Sequence, residues 1–207
     1  MNFTRESFQQ QFDVSRETME RLDVYVALLQ KWSPTINLVS RESLGDVWHR
    51  HIADSAQLWR LRPANASHWL DLGSGAGFPG LVAAALAADS PSVTFRLVES
   101  DERKSAFLHT VIREASLPAE IVTTRIERLP AQSADVVSAR ALAPLSALLG
   151  MVQKHRRPGG IGLFPKGRAV HKEIEEARTL WRFDPRVYPS LTDPTAGIVE
   201  IGVLDRV

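Results

Sequence analysis

Apolar residues at three- and four-residue steps predict helices over roughly the first 60 residues of the chain. One such stripe lies in a segment that Ser15 can cap at its start. Pro34 is expected to end this helix, because proline lacks the N–H that the helix interior needs. The stripe consists of Met19, Leu22, Tyr25, Val26, Leu29 and Trp32.

A second helical pattern spans residues 44–59. Its neighbouring polar positions recur at four-residue steps and are Asp46, Arg50 and Asp54. This spacing predicts ion pairs along one continuous helix. A run of turn-forming residues, 63–67, then indicates a linker, so residues 1–62 are predicted to form a helical extension.

Short apolar runs alternate with helical patterns in the rest of the chain, which predicts βα units and a mostly parallel sheet. The predicted strands are His68–Gly73, Val93–Glu99, Glu120–Thr124, Asp135–Ala139 and Ile161–Lys166. The predicted helices are Pro79–Ala88, Asp101–Ala115, Leu145–His155 and Val170–Trp181. Residues 68–207 are thus expected to form an α/β core, and the extension and core together a single domain, 1–207.

Two further β-like stretches lie near the C-terminus, Arg182–Pro189 and Ile198–Leu204. The chain between them is too short for a crossover helix, so we expect an antiparallel hairpin at one side of the sheet. With the five strands before them, these stretches predict a seven-stranded sheet.

The composition is that of an ordinary globular protein. The chain has 207 residues, of which 25 are lysine or arginine, 24 are acidic and 44% are hydrophobic. No apolar run reaches the ~20 residues that cross a bilayer, and residues 1–6 lack the basic and apolar regions of a signal peptide. These features predict a cytoplasmic protein with no membrane partner.

A glycine-rich loop, Asp71–Gly80, follows the first predicted strand and leads into a helix. Glycines such as Gly73 and Gly75 let a ligand approach the backbone, so this loop is a candidate cofactor cradle. Its second half also matches the G-x-G-x-x-G pattern of NAD sites, with Glu99 at the usual offset. The Asp71 carboxylate would repel a pyrophosphate and favours S-adenosylmethionine, as does an antiparallel last strand by fold analogy.

Other polar residues follow the ends of predicted strands, where ligands bind in open α/β sheets. Glu99 is expected to accept hydrogen bonds from ribose hydroxyls, or else to place a charge near a helix N-terminus. The segment 124–127 is a candidate for adenine contacts, or an ordinary polar loop. Arg140 suits a carboxylate or a phosphate.

A basic stretch, 154–172, contains no acidic residue and predicts either RNA contacts or a solvated surface. Its basic residues are Lys154, His155, Arg156, Arg157, Lys166, Arg168, His171 and Lys172. Lys166 ends the fifth predicted strand and is a candidate for a phosphate contact. Because the net charge is only +1, recognition of a folded ribonucleoprotein is more plausible than tight binding to naked RNA.

The absence of cysteine excludes disulfides, thiolate metal sites and the covalent adduct that pyrimidine C5 methylation requires. No metal site is predicted. The segment 138–144 lacks the Asn/Asp-Pro-Pro-aromatic motif used for exocyclic amines. An acceptor that is already nucleophilic, such as guanine N7, fits better because positioning alone can suffice.

Six segments, in their order and spacing, resemble the small-subunit ribosomal RNA guanine-N7 methyltransferases, also called glucose-inhibited division protein B. They are Asn37–Ser40, Arg50–Ser55, Asp71–Gly80, Arg125–Glu127, Ser138–Ala141 and Lys166–Gly167. The resemblance covers about residues 20 to 170. It implies a class I, Rossmann-like methyltransferase that uses S-adenosylmethionine to modify a guanine of 16S ribosomal RNA in the small ribosomal subunit.

The resemblance also suggests site residues. The family's cofactor contacts fall on Gly73, Phe78, Ile126, Glu127 and Arg140, and Arg140 would act by positioning. Glu99 stands where an aspartate is expected for the ribose.

Asn37, Arg50 and His51 lie in family motifs and are candidates, with Lys166, for contacts to the substrate RNA. The alternative is structural: His51 would be a hydrogen-bonded core histidine, and Arg50 would form an ion pair with Asp54 on a helix. We expect a monomer. An NAD-dependent oxidoreductase and an inactive RNA-binding module are the rival hypotheses.

Overall fold

A computed structural model describes residues 3–89 and 92–207; Met1 and Asn2 of the N-terminal segment discussed above lie outside these ranges. The described residues contain a seven-stranded sheet in the order β3-β2-β1-β4-β5-β7-β6. Its strands are β1 His68–Leu72, β2 Thr94–Glu99, β3 Ala119–Thr123, β4 Ala134–Ser138, β5 Arg156–Lys166, β6 Trp181–Pro189 and β7 Gly197–Arg206. The first five are parallel, while β7 is antiparallel to β5 and β6 to β7, so the predicted mixed sheet is confirmed.

Helices cover both faces of the sheet. Those of the core are α5 Gly80–Ala87, α6 Glu102–Glu114, α7 Leu145–His155 and α8 Val170–Arg178. Successive residues of β1 point to opposite faces, so Trp69 packs in one hydrophobic cluster and Leu70 in the other. No helix in the described residues combines the length and apolar character needed to cross a membrane.

The N-terminal extension adds its helices to the face that carries Trp69. These helices are α1 Arg5–Phe12, α2 Arg16–Ile36, α3 Arg41–Gly45, the π-helix Trp48–Ala53 and α4 Asp54–Leu61. Ser15 caps α2, as predicted, by accepting a hydrogen bond from Thr18 N–H. The prediction that Pro34 ends this helix is wrong: α2 continues to Ile36, because a proline so near the C-terminus removes little of the helix's hydrogen bonding.

The single helix predicted over 44–59 is also wrong. A π-helix interrupts it and inserts an extra residue per turn, which changes the face that each side chain occupies. Arg50 therefore pairs with Glu42 (Nη1 to Oε1, 3.0 Å), whereas Asp54 Oδ2 lies 3.6 Å from Arg140 Nη1. The predicted Arg50–Asp54 helix pair does not form.

The basic stretch does not form one surface patch. Strand β5 begins at Arg156 rather than at Ile161, and its 11 residues span about 30 Å. Arg157 pairs with Asp135 at one end of this strand, while Lys166 lies at the other end. The interpretation of 154–172 as a single RNA-binding patch is therefore wrong.

Candidate active site

The glycine loop connects β1 to α5 at the carboxyl edge of the sheet, beside the β1–β4 junction where the strand order reverses. Gly73, Gly75 and Gly77 have positive φ angles of 63°, 57° and 97°. A Cβ on Gly73 would lie 2.6 Å from a methyl carbon of Leu142. The loop therefore requires glycine for its backbone conformation and, at Gly73, for its close packing.

The Glu99 carboxylate is buried and holds this loop. Its Oε2 accepts a hydrogen bond from Gly75 N–H at 2.9 Å, and its Oε1 accepts from Ser100 and Asp101 N–H at 2.7 and 2.8 Å. A carboxylate has about four acceptor positions, so this arrangement leaves room for one more donor. The predicted ribose contact remains a prediction. The alternative role, a charge near the N-terminus of α6, does not account for the hydrogen bond that Glu99 accepts from the glycine loop.

Asp71 lies beneath the loop and is 1% exposed. Its Oδ1 accepts a hydrogen bond from Ser138 Oγ at 2.6 Å, which ties β1 to β4. Burial raises the pKa of Asp71 to about 6, although the hydrogen bonds from Ser138, Ser74 and Gly80 oppose this rise. From the sequence, Asp71 could either organise the loop or meet the cationic end of the methyl donor, and its burial and contacts support the first role.

Three rings in contact support the other side of the loop, with His51 stacked on Phe78 and Tyr25 tilted against it. The Phe78 ring lies 4.8 Å from His51 and 5.3 Å from Tyr25, and Tyr25 Oη donates to the carbonyl of Ala76. Neither ring nitrogen of His51 has a hydrogen-bond partner among the described residues. Burial, with smaller effects from nearby arginines, lowers the pKa of His51 to about 3. His51 is therefore neutral at physiological pH and packs against the loop, while the predicted RNA contact stays a prediction.

Arg140 follows β4 and connects the loop to the N-terminal helices. Its guanidinium lies 4.7 Å from the Phe78 ring centre, and Nη1 is 3.5 Å from the Arg50 carbonyl oxygen. Burial lowers the pKa of Arg140, and the Asp54 carboxylate opposes this effect most strongly. Arg140 thus stands next to the cofactor cradle, where it was predicted.

A cleft of about 510 Å³ opens beside Arg140, at the carboxyl ends of β4 and β5. It is lined by Arg50, Asp54, Arg140, Ala141, Pro165, Lys166, Gly167, Ser190, Thr192, Asp193, Pro194, Ala196, Gly197 and Ile198. The loop between β6 and β7 forms one wall and is attached to α4. There Thr192 Oγ1 donates to Asp54 Oδ1 at 3.1 Å, and Leu191 N–H donates to Gln57 Oε1 at 2.8 Å.

Lys166 lines this cleft, but its ammonium is used inside the protein. It donates to the Ala143 carbonyl at 2.9 Å and to Glu173 Oε2 at 2.8 Å, and its side chain is only 9% exposed. Glu173 Oε2 also accepts from Leu145 N–H at 2.9 Å. This ion pair holds the strand to α7 and α8. A phosphate would have to compete with it for the ammonium, and the predicted contact of Lys166 with RNA phosphate stays a prediction.

The remaining predicted residues lie apart from the cleft. Asn37 adopts a left-handed conformation as the C-terminal cap of α2 and lines a separate, smaller cavity. Ile126 and Glu127 form a 3-10 turn after β3, with Ile126 half-buried and Glu127 exposed. This turn lies on the Glu99 side of the sheet, where adenine contacts were predicted.

Sequence reasoning missed the residues that support the site from a distance. Tyr25 belongs to an apolar helical stripe and gave no sign of its hydrogen bond to the glycine loop. The 190–196 loop carries no recognisable motif, so its contact with Asp54 was not predicted. The one available signal was the tyrosine itself, because a buried tyrosine hydroxyl usually has a hydrogen-bond partner, but the sequence does not say which partner.

Comparison with known proteins decides the family. The model for rRNA small subunit methyltransferase G matches residues 18–196. The chain belongs to this family. It is 50% identical to a Ribosomal RNA small subunit methyltransferase G of Cereibacter sphaeroides over 98% of this chain and 99% of that one. It is 52% identical to the protein of the same name from Rhodospirillum centenum, over 97% of this chain and 91% of that one.

Solved structures agree on the fold. A SAM dependent methyltransferase from Aquifex aeolicus matches 77% of this chain and 95% of its own, with a TM-score of 0.59 and 14% identity. The mitomycin 7-O-methyltransferase MmcR matches 100% of this chain over 73% of its own, with a TM-score of 0.61 and 13% identity. The fold is that of the Rossmann-like class I methyltransferases, as predicted.

Family membership makes the chain an S-adenosylmethionine-dependent methyltransferase, and the alternative of an NAD-dependent oxidoreductase is dropped. The residues present fit this cofactor. The glycine loop leaves its backbone open to a ligand, and Glu99 lies at the loop with acceptor capacity to spare.

Proposed function

We propose that this enzyme transfers a methyl group from S-adenosylmethionine to N7 of a guanine in 16S ribosomal RNA. The observation that carries the proposal is the pairing of a glycine loop that fits the methyl donor with a cleft beside it that is large enough to admit a base. Arg140 contributes to both, through Phe78 on one side and the lining of the cleft on the other.

For the cofactor, we assign the loop residues Gly73, Gly75 and Phe78 to the methionine part and Glu99 to the ribose. Ile126 and Glu127 are assigned to the adenine, and Asp71 supports the loop from below. Arg140 is assigned to the cofactor carboxylate and to positioning of the acceptor, since its charge is fixed beside Phe78.

The cofactor supplies an electrophilic methyl group on a sulfonium. The N7 lone pair forms the new bond to the methyl carbon while the carbon–sulfur bond breaks and its electrons stay on sulfur. N7 of guanine carries no proton, so the step needs alignment but no general base. This fits a site whose buried acid, Asp71, is committed to Ser138 and faces away from solvent.

The RNA partner follows from charge and shape. The net charge is only +1, and the basic residues of the 154–172 stretch are divided between the two ends of β5. The protein is therefore poorly suited to bind naked RNA tightly. We therefore propose the assembled small subunit as the substrate, met by a single copy of the chain in the cytoplasm. Arg50, exposed at the rim of the cleft, is the best placed residue for a phosphate contact.

The test is incubation with methyl-labelled S-adenosylmethionine and small subunits that lack this modification, followed by reduction and aniline cleavage. Those steps cut RNA at N7-methylguanine. We expect one cleavage site, with subunits far better than naked rRNA as substrate. Gly73→Val should abolish labelling because Leu142 occupies the space that a side chain needs, and Gly202→Ala, whose added Cβ meets nothing within 4 Å, should not.

Label incorporated without aniline cleavage would contradict the N7 assignment. Absence of label with protein that binds S-adenosylmethionine would favour the rival hypothesis of an RNA-binding module without turnover. More label in naked rRNA than in subunits would contradict the proposed substrate.

A further inference from the structure

The cleft beside Arg140 contains a carboxylate that the methyl donor does not explain. Asp54 is 16% exposed at its side chain, and its Oδ1 is held by Thr192. Its Oδ2 lies 3.6 Å from Arg140 Nη1, which is longer than a hydrogen bond. Asp54 is therefore fixed in orientation, with one carboxylate oxygen able to accept further hydrogen bonds.

We infer that Asp54 binds the Watson–Crick edge of the target guanine and gives the enzyme its preference for guanine. This inference rests on the proposed function. Guanine offers two neighbouring donors on this edge, N1–H and the N2 amino group, and an ionised carboxylate only accepts. Adenine offers an acceptor at N1 in the same place, so Asp54 would repel it.

The charge of Asp54 suits the reaction as well as the recognition. Methylation at N7 leaves a positive charge on the base, in a cleft that already contains the cationic side chains of Arg50 and Arg140. A carboxylate against the same base offsets that charge as it develops, which favours the transition state over the bound substrate.

The position of the cleft agrees with this role. The cofactor loop follows β1, and the cleft lies at the ends of β4 and β5, on the other side of the point where the strand order reverses. A purine held by N1 and N2 of its Watson–Crick edge leaves N7, on the neighbouring Hoogsteen edge, free to face the methyl donor. A base extruded from RNA is commonly read by this edge.

The experiment compares guanosine with inosine, which keeps N1–H but lacks the N2 amino group. Small subunits are reconstituted around rRNA ligated to carry either nucleotide at the position mapped by aniline cleavage. Single-turnover transfer is measured for the wild type, Asp54→Asn and Thr192→Val. The affinity of each particle for protein saturated with S-adenosylhomocysteine is measured by filter binding, so that a variant without turnover still gives a guanosine-to-inosine ratio.

For the wild type we expect guanosine to be preferred over inosine by about tenfold to a hundredfold, as for one charge-assisted hydrogen bond. Asp54→Asn should slow transfer to guanosine and reduce the preference to less than about threefold in both measurements. Thr192→Val breaks the contact to the 190–196 loop but keeps the carboxylate, so it should lower both rates and preserve the preference. Asp46→Asn removes an exposed carboxylate outside the cleft and should behave as wild type.

A wild type that does not distinguish the two particles would overturn the inference, and so would a preference that survives in Asp54→Asn. In both results the wild type still methylates N7, so the proposed function stands. A wild type that labels no guanosine particle would instead contradict the proposed function itself.

Discussion

The Glu99 carboxylate accepts a hydrogen bond from the backbone N–H of Gly75 at 2.9 Å. The acid that we assign to the ribose thus also fixes the loop that we assign to the rest of the cofactor. Because Glu99 also binds the N–H groups of Ser100 and Asp101, its position is set by the chain on both sides. The cradle is organised before the cofactor arrives, which lowers the cost of binding.

Glu99→Gln tests this relationship. A glutamine amide would place donor hydrogens against N–H groups that need an acceptor, so the loop should lose part of its support. We expect the affinity for S-adenosylmethionine to fall by about 1.5–3 kcal/mol, measured by titration calorimetry. Glu102→Gln, at an exposed position on α6, should leave the affinity unchanged. Equal affinities for Glu99→Gln and wild type would remove Glu99 from the cofactor site.

Arg140→Ala tests the link between the two halves of the site. The change removes the stacking on Phe78 and leaves Asp54 without its positive partner. Single-turnover methyl transfer should slow by the equivalent of about 1.5–3 kcal/mol. Arg140→Lys keeps the charge and should lose less. If Arg140→Ala transfers methyl at the wild-type rate, the positioning role is wrong.

Lys166→Met separates a structural role from an RNA contact. The variant leaves the partly buried Glu173 carboxylate without its cation, so the free energy of unfolding should fall by about 1–3 kcal/mol in urea titrations. The double variant Lys166→Met/Glu173→Met should recover much of this loss, and Lys172→Met, in an exposed pair, should cost little. Unchanged stability together with weaker, less salt-dependent RNA binding would instead support the phosphate contact predicted for Lys166.

The pH dependence of stability can be predicted from His155. Burial, with a smaller effect from Lys154, lowers the pKa of His155 from 6.5 to about 4. Between these values the unfolded chain binds a proton that the folded chain does not, so stability falls as the pH drops from 6.5 towards 4. Asp71 acts in the opposite sense, because its pKa is raised to about 6 and its stabilising effect grows as the pH drops. This effect is the same in the wild type and in a variant of His155, so it cancels when the two are compared.

Unfolding in urea at pH 7 and pH 5 measures this effect. His155→Leu should lose less stability between these two pH values than the wild type does, by on the order of 1 kcal/mol. His171→Leu, at an exposed position of α8, should keep the wild-type response. A variant of His155 that loses as much stability as the wild type would show that another group causes the loss of stability between pH 7 and pH 5.

The sequence predicted the positions of the first four strands well. The first four begin and end within one residue of the expected positions, because apolar runs between turn-forming residues leave little choice. The start of β5 was missed because Arg156–Gly160 has the charges, proline and glycines of a turn. The π-helix was missed because a three- and four-residue spacing cannot reveal a single inserted residue.

Within the site, the predictable residues are those whose chemistry lies in one continuous motif. The glycine loop and Arg140 follow β1 and β4, and Glu99 ends β2, at the strand ends where the sequence placed them. Their roles in binding the cofactor stay predictions. Their supporting partners are far away in the chain: Tyr25 is 51 positions from Ala76, and Asp54 is 138 from Thr192. Such pairs leave no periodic pattern in a sequence, and only the folded chain brings them together.

The attachment of the 190–196 loop to α4 divides the site between two parts of the chain. Every residue assigned to the methyl donor precedes β6, whereas one wall of the cleft follows it. A chain that stops short of β6 would therefore retain every donor residue but would present an open-sided cleft to its acceptor.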